Sequence, residues 1–173
     1  MNFFRSHAVF CPFPAAGPVL LSPVASAVKT TRPSFHWTGV ANDQGYTLYV
    51  ADEHDREVLT RPTGASTEFS FPPDSLGLVS GHTYSWQVET TVADELRIAD
   101  RESFVIPDAS TLSTVAALKK QFANSPMLLA AVDETYGLYD DAADQLRILK
   151  ALNPRSDLPD KLLADLAARR QKK

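Results

Sequence analysis

Between residues 18 and 107 the apolar side chains recur at every second position, and that period decides most of what this chain can fold into. The runs are Val19-Leu20-Leu21; Phe35 and Trp37; Tyr46, Leu48 and Val50; Val58; Phe69 and Phe71; Tyr84, Trp86 and Val88; Leu96 and Ile98; Phe104 and Ile106. Successive side chains of an extended strand point to opposite faces, so each run offers one apolar and one polar face. Turn-forming clusters separate the runs: Asn42-Asp43-Gln44-Gly45, Asp52 to Arg56, and Pro72-Pro73-Asp74. A spacing of about 8–12 residues suits an antiparallel β-sandwich. No helix-period segment interrupts the runs, so parallel βαβ units are not expected. The expectation is a seven-stranded antiparallel β-sandwich over about 18–107.

From about residue 110 the period becomes helical. Ser110-Thr111 caps a helix through Phe122. Ser125-Pro126 starts a second, with a capping hydroxyl followed by proline at the first helical position, and Gly137 stops it. Asp140 or Asp141 starts a third, with Ala142, Ala143, Leu146, Leu149 and Leu152 along one stripe, ended by Asn153-Pro154. A fourth starts at Asp157 to Pro159 and closes on Arg169-Arg170, cations suited to a helix C-terminus. The expected organisation is an irregular lead-in over 1–17, the sandwich, and an all-α helical hairpin or bundle over 108–173. Charge follows the same division. Residues 1–107 hold 7 basic and 12 acidic residues, whereas 108–173 hold 10 and 9.

Composition narrows the function classes. At 44% hydrophobic and 22% charged, the chain of 173 residues is an ordinary globular one. A net charge of −4 lacks the basic surplus that neutralises phosphates, so nucleic acid is not an expected partner. No apolar run of about 18 residues is present to span a membrane. Cys11 is the single cysteine, which excludes an intrachain disulfide and a four-cysteine zinc site.

Five ordered motifs in the first half resemble the fibronectin type III-like modules of bacterial proteins. They are Leu21-Ser22-Pro23; Arg32-Pro33-Ser34-Phe35-His36-Trp37; Tyr46-Thr47-Leu48-Tyr49-Val50; Thr67-Glu68-Phe69-Ser70-Phe71-Pro72; and Gly81-His82-Thr83-Tyr84-Ser85-Trp86-Gln87-Val88. In the second half, Gly137-Leu138-Tyr139-Asp140-Asp141-Ala142-Ala143, then Leu146 and Leu152-Asn153-Pro154, is similar to the second half of a tetratricopeptide repeat. One half-repeat does not make a peptide-binding array. The order of the two looks like bacterial envelope proteins of unknown function. That resemblance implies an extracytoplasmic, periplasmic or envelope-associated, non-enzymatic scaffold for protein–protein interaction. It brings no catalytic residues with it.

The candidate sites follow from these patterns. Trp37 and Trp86 share the parity of their neighbours' apolar sets and belong in the core. Phe122, Met127, Leu128, Leu138 and Tyr139 give more apolar surface than a small hairpin hides. They bury against each other and the sandwich, or they bind a partner protein, a second copy of this chain included. Edge strands near Glu57–Thr60 or Leu96–Asp100 offer a second docking mode. A carbohydrate- or small-ligand-binding module is the alternative, using Tyr49 and Tyr139 in a shared groove. Asp52-Glu53-His54-Asp55 reads as a hairpin turn, since neighbouring side chains on a strand end diverge and no glycine lies within it. No G-x-S-x-G turn or phosphate-cradling loop exists, so no metal, cofactor or catalytic group is expected.

Overall fold

The computed structural model describes residues 17–170, so Cys11 and nearly all of the 1–17 lead-in lie outside the described residues. Among the described residues nine strands precede four helices: β1 (Leu20–Ser22), β2 (Ser26–Ala27), β3 (Ser34–Trp37), β4 (Asp43–Asp52), β5 (Glu57–Gly64), β6 (Glu68–Ser70), β7 (His82–Val92), β8 (Glu95–Ile98), β9 (Glu102–Ile106), then α1 (Ala109–Gln121), α2 (Pro126–Thr135), α3 (Tyr139–Leu152) and α4 (Leu158–Arg170). Among the described residues no helix is long and apolar enough to cross a membrane.

The strands form a three-stranded sheet, β1-β3-β6, and a six-stranded sheet ordered β2-β9-β7-β4-β5, with β8 also on β7. This corrects the expected fold class. The larger sheet is mixed: β2 runs parallel to β9, with Ser26 opposite Phe104 and Ala27 opposite Val105. After β1 the chain crosses from one sheet to the other, passing Ala25 at a φ of 43°. The small pair Ser26-Ala27 carries no alternation that could announce a strand. The runs at Leu96-Ile98 and Phe104-Ile106 become β8 and β9, which pair with successive stretches of the same strand, β7.

The helices correct the other half of that expectation. They pack serially, α1 on α2, α2 on α3 and α3 on α4, and α3 also touches β2. A sheet-anchored succession thus replaces a separate hairpin or bundle, and the whole is a mixed α/β chain with strands preceding helices. Local chemistry sets the ends. Asp108 caps α1 by accepting from the Thr111 backbone N–H at 2.7 Å, displacing the expected Ser110-Thr111 start. That bond and the Ser110 hydroxyl hold its carboxyl below the usual range. Ser125 caps α2 with Pro126 in its first turn. The acidic Asp140 and Asp141 fall in the first turn of α3, where the helix dipole favours them.

One core joins the two sheets. Trp37 and Trp86 are 2% and 1% exposed, among Phe35, Tyr46, Leu48, Val88 and Phe104. Phe35 meets Trp86 edge-on, their centroids 4.9 Å apart, and the two indoles lie 6.5 Å apart. Trp86 Nε1 donates to the Pro23 carbonyl at 2.6 Å, tying the crossing to the core. Removing such rings from water contributes several kcal/mol each at about 25 cal/mol per Å².

Candidate functional site

The seam between sheet and helices holds the side-chain hydrogen bonds that span the longest stretches of sequence among the described residues. Gly137 ends α2 at a φ of 74°, a left-handed conformation glycine adopts at low cost. Its carbonyl thereby accepts from the Ala27 backbone N–H at 2.7 Å. Ser26, only 4% exposed, accepts from the Tyr139 backbone N–H through its hydroxyl at 3.1 Å. Leu138 is fully buried against Ala27 and Val115. Charged groups bracket this contact. The Ser22 hydroxyl donates to Asp140 at 3.0 Å, Lys29 pairs with Asp141, and Arg170 reaches both Asp140, at 2.9 Å, and the Val24 carbonyl.

Leu138 is therefore not offered to a partner, and Tyr139 reaches the surface only along the wall of a cleft beside the seam. Leu138 is 0% and Tyr139 6% exposed, and both fasten the helices to the chain's own sheet edge. Of the apolar surplus that a hairpin could not hide, Leu138 is absorbed by β2, a strand the sequence period did not reveal, and Tyr139 by the neighbouring helices. Met127 and Leu128 remain 40% and 45% exposed on α2, and Phe122 is half-buried just past α1. Ser26 was missed altogether. It lies 111 residues from Gly137, and no local pattern marks a serine as the partner of so distant a turn.

Beside the seam lies a cleft of about 800 Å³. One wall comes from the β1–β2 crossing, with Leu21, Val24 and Ala25; the other comes from α3 and α4, with Ala143, Leu163 and Ala167. Leu21 is 52% exposed, although Leu20 beside it is buried. Glu102, Arg147 and Arg170 supply charge, and Arg147 is held by Asp144 at 2.5 Å. Arg170 Nη2 is buried without a hydrogen-bond partner.

A second surface lies on the outward face of the larger sheet. Tyr49 sits there, half-buried, opposite Gln87 of β7 and Thr60 of β5. Burial raises its phenol pKa, and the carboxylates of Glu89 and Glu57 add to the rise. Tyr139 lines the seam cleft instead, so the two tyrosines do not share a groove. Of the edge candidates, Glu57–Thr60 lies in β5, at the end of the larger sheet, and Leu96–Asp100 runs from β8 into the link before β9.

The acidic run is a hairpin turn. Asp52 accepts from the backbone N–H groups of His54 and Arg56 at 2.8 and 3.0 Å and pairs with the Arg56 guanidinium. Burial raises its pKa, but these bonds outweigh that and hold it at about 2. Glu53 turns to His82, 2.8 Å away. Among the described residues no group of three or more His, Cys, Asp or Glu is placed to hold a metal ion.

No protein-family model matches the chain, and no curated protein matches it. Among solved structures it is similar to the crystal structure of the Clostridium perfringens spore cortex lytic enzyme SleM, at 14% identity and a TM-score of 0.34. The likeness covers 53% of this chain and 28% of that one. A likeness of that size says nothing of this chain's chemistry.

Proposed function

We propose that this chain is a non-enzymatic interaction module that holds an extended apolar segment of another protein in the cleft beside the seam. The carrying observation is the cleft of about 800 Å³, whose aliphatic walls come from both halves of the chain. Leu21 stays 52% exposed at a place where covering it would be favourable. Aliphatic walls with Arg147 and Glu102 among them suit an apolar stretch with charged neighbours. Docking by strand addition is less well served. Of the edges, β5 is interrupted by Pro62 and carries Glu57 and Arg61, devices that discourage a further strand. The resemblances to fibronectin type III-like and tetratricopeptide-like segments support a scaffold reading, and a place in the bacterial envelope rests on them alone.

The test is selection of a phage-displayed peptide library on the full chain, followed by titration of the recovered peptides. Peptides with an apolar centre are expected to bind. Ala143→Trp, which puts an indole into the cleft, should weaken them at least tenfold while leaving the circular dichroism unchanged. Peptides that bind this variant equally well, or no enrichment at all, would overturn the reading. If Ala143→Trp abolishes self-association instead, a second copy of the chain is the occupant.

A further inference from the structure

The outward face of β5-β4-β7 carries a constellation that the seam does not use. Parity sends Tyr46, Leu48 and Val50 into the core, which leaves Thr47, Tyr49 and Ala51 facing out from a strand paired on both sides. Tyr49 lines a groove of about 260 Å³ with Asp55, Glu57, Gln87, Glu89 and Arg101. A neighbouring groove of about 360 Å³ takes in Thr47, Glu89 and Leu96. Glu89 lines both, so the two grooves adjoin at that residue as a trough in two parts.

We infer that this trough binds a neutral glycan strand, with one sugar ring seated on Tyr49. Three features of the chemistry agree. A pyranose presents an apolar C–H face, which suits the flat apolar body of a tyrosine held by rigid backbone. Its vicinal hydroxyls both donate and accept, so they match planar groups of mixed character set side by side. Here those groups are linked: Arg101 Nη1 donates to Asp55 at 2.7 Å, Arg101 Nε reaches Gln87 Oε1 at 3.5 Å, and Gln87 Nε2 reaches Glu89 Oε1 at 3.4 Å. The last two contacts are at the long limit of a hydrogen bond, so Gln87 and Glu89 keep capacity for an incoming hydroxyl. Charge selects among ligands as well. Asp55, Glu57 and Glu89 against Arg101 leave the patch acidic, which repels phosphate, sulfate and uronate chains. A basic peptide is the competing occupant. Arg101, paired with Asp55, offsets part of the negative charge that would draw it, and hexalysine in the test separates the two.

The experiment titrates the full chain with cellohexaose, chitohexaose and mannohexaose, with hexalysine as the comparator, by calorimetry and by amide chemical-shift mapping. At least one hexaose is expected to bind, with shifts confined to residues 47–60 and 85–101. Tyr49→Ala should weaken binding at least tenfold, Tyr49→Phe by less than threefold, and Ala143→Trp not at all. The shift map decides the matter even if Tyr49→Ala folds poorly. Failure of all three hexaoses to bind, shifts elsewhere, or Tyr49-dependent binding of hexalysine alone would overturn the inference. The seam-cleft reading stands or falls separately, because none of these residues lines that cleft.

Discussion

Lys119 and Asp133 show how closely the helical part depends on single side chains. Lys119 Nζ lies 2.7 and 2.8 Å from the two oxygens of Asp133, whose side chain is wholly buried while that of Lys119 is 24% exposed. Burial raises the Asp133 pKa, and Lys119 pulls it back only in part. The two partners are therefore not equivalent. Lys119→Met strands a buried carboxylate and should cost about 3–5 kcal/mol. Asp133→Asn leaves an ammonium that can turn to water, and should cost clearly less in the same urea titration. The pH dependence has a definite sign. A carboxyl whose folded pKa is raised contributes stability that is fully present below its unfolded pKa and lost as pH rises through the folded pKa. The Lys119→Met penalty should therefore be smallest in acid and grow as the pH rises out of the carboxylate range. The tryptophans offer a second comparison. Trp86 Nε1 bonds Pro23, whereas Trp37 Nε1 is buried without a partner. Trp86→Phe should exceed Trp37→Phe by about 1 kcal/mol, the worth of one net hydrogen bond.

At the scale of elements, the turn between α2 and α3 carries more than its length suggests. Gly137 takes a positive φ, and a Cβ there would meet only Ala27 at an ordinary 3.8 Å. Gly137→Ala should therefore cost about 1–2 kcal/mol from backbone strain alone, without a steric clash. Leu138→Ala empties a fully buried site and should cost about 2–5 kcal/mol by thermal or chemical denaturation. Local reading was good at most places where a residue's role depends on its sequence neighbours, the cap of α1 at Asp108 rather than Ser110-Thr111 being an exception. Ser125-Pro126 opens α2, Gly137 ends it, and both indoles are inside, because capping, turn chemistry and strand parity act over a few residues. It failed where the partner lies far along the chain. Ser26-Ala27 are too short and too small to show a period, yet they make the parallel pair with β9 and receive Leu138. That one unseen strand turned Leu138 from a surface candidate into a buried one, while Tyr139 is buried among α2, α3 and α4. Tyr49 was legible as outward-facing from parity, but Arg101 reaches it only through the sheet's register.

At the largest scale, three apolar clusters among the described residues are arranged in series. The first fills the space between the sheets, the second lies among α2, α3 and α4, and a small one of Ala27, Val115 and Leu138 joins them. The joining cluster is backed by the bond from Ala27 to Gly137 and by the contacts of Lys29 and Arg170 with the start of α3. Coupling of this kind predicts one cooperative transition for the described parts of the chain. Its reporters are naturally separated. Both tryptophans lie in the sheets, and the described helices follow after residue 108, so fluorescence follows the sheets while circular dichroism at helical wavelengths follows the helices. The two curves should coincide in urea, as a two-state system requires. Leu138→Arg forces a charge into the fully buried joining site, where it has no room and no water. The helical signal of that variant should then be lost at lower urea than the tryptophan signal, with the sheets unfolding near their original midpoint. Separate transitions in the unmodified chain, or coincident ones in Leu138→Arg, would show that the seam does not couple the two halves.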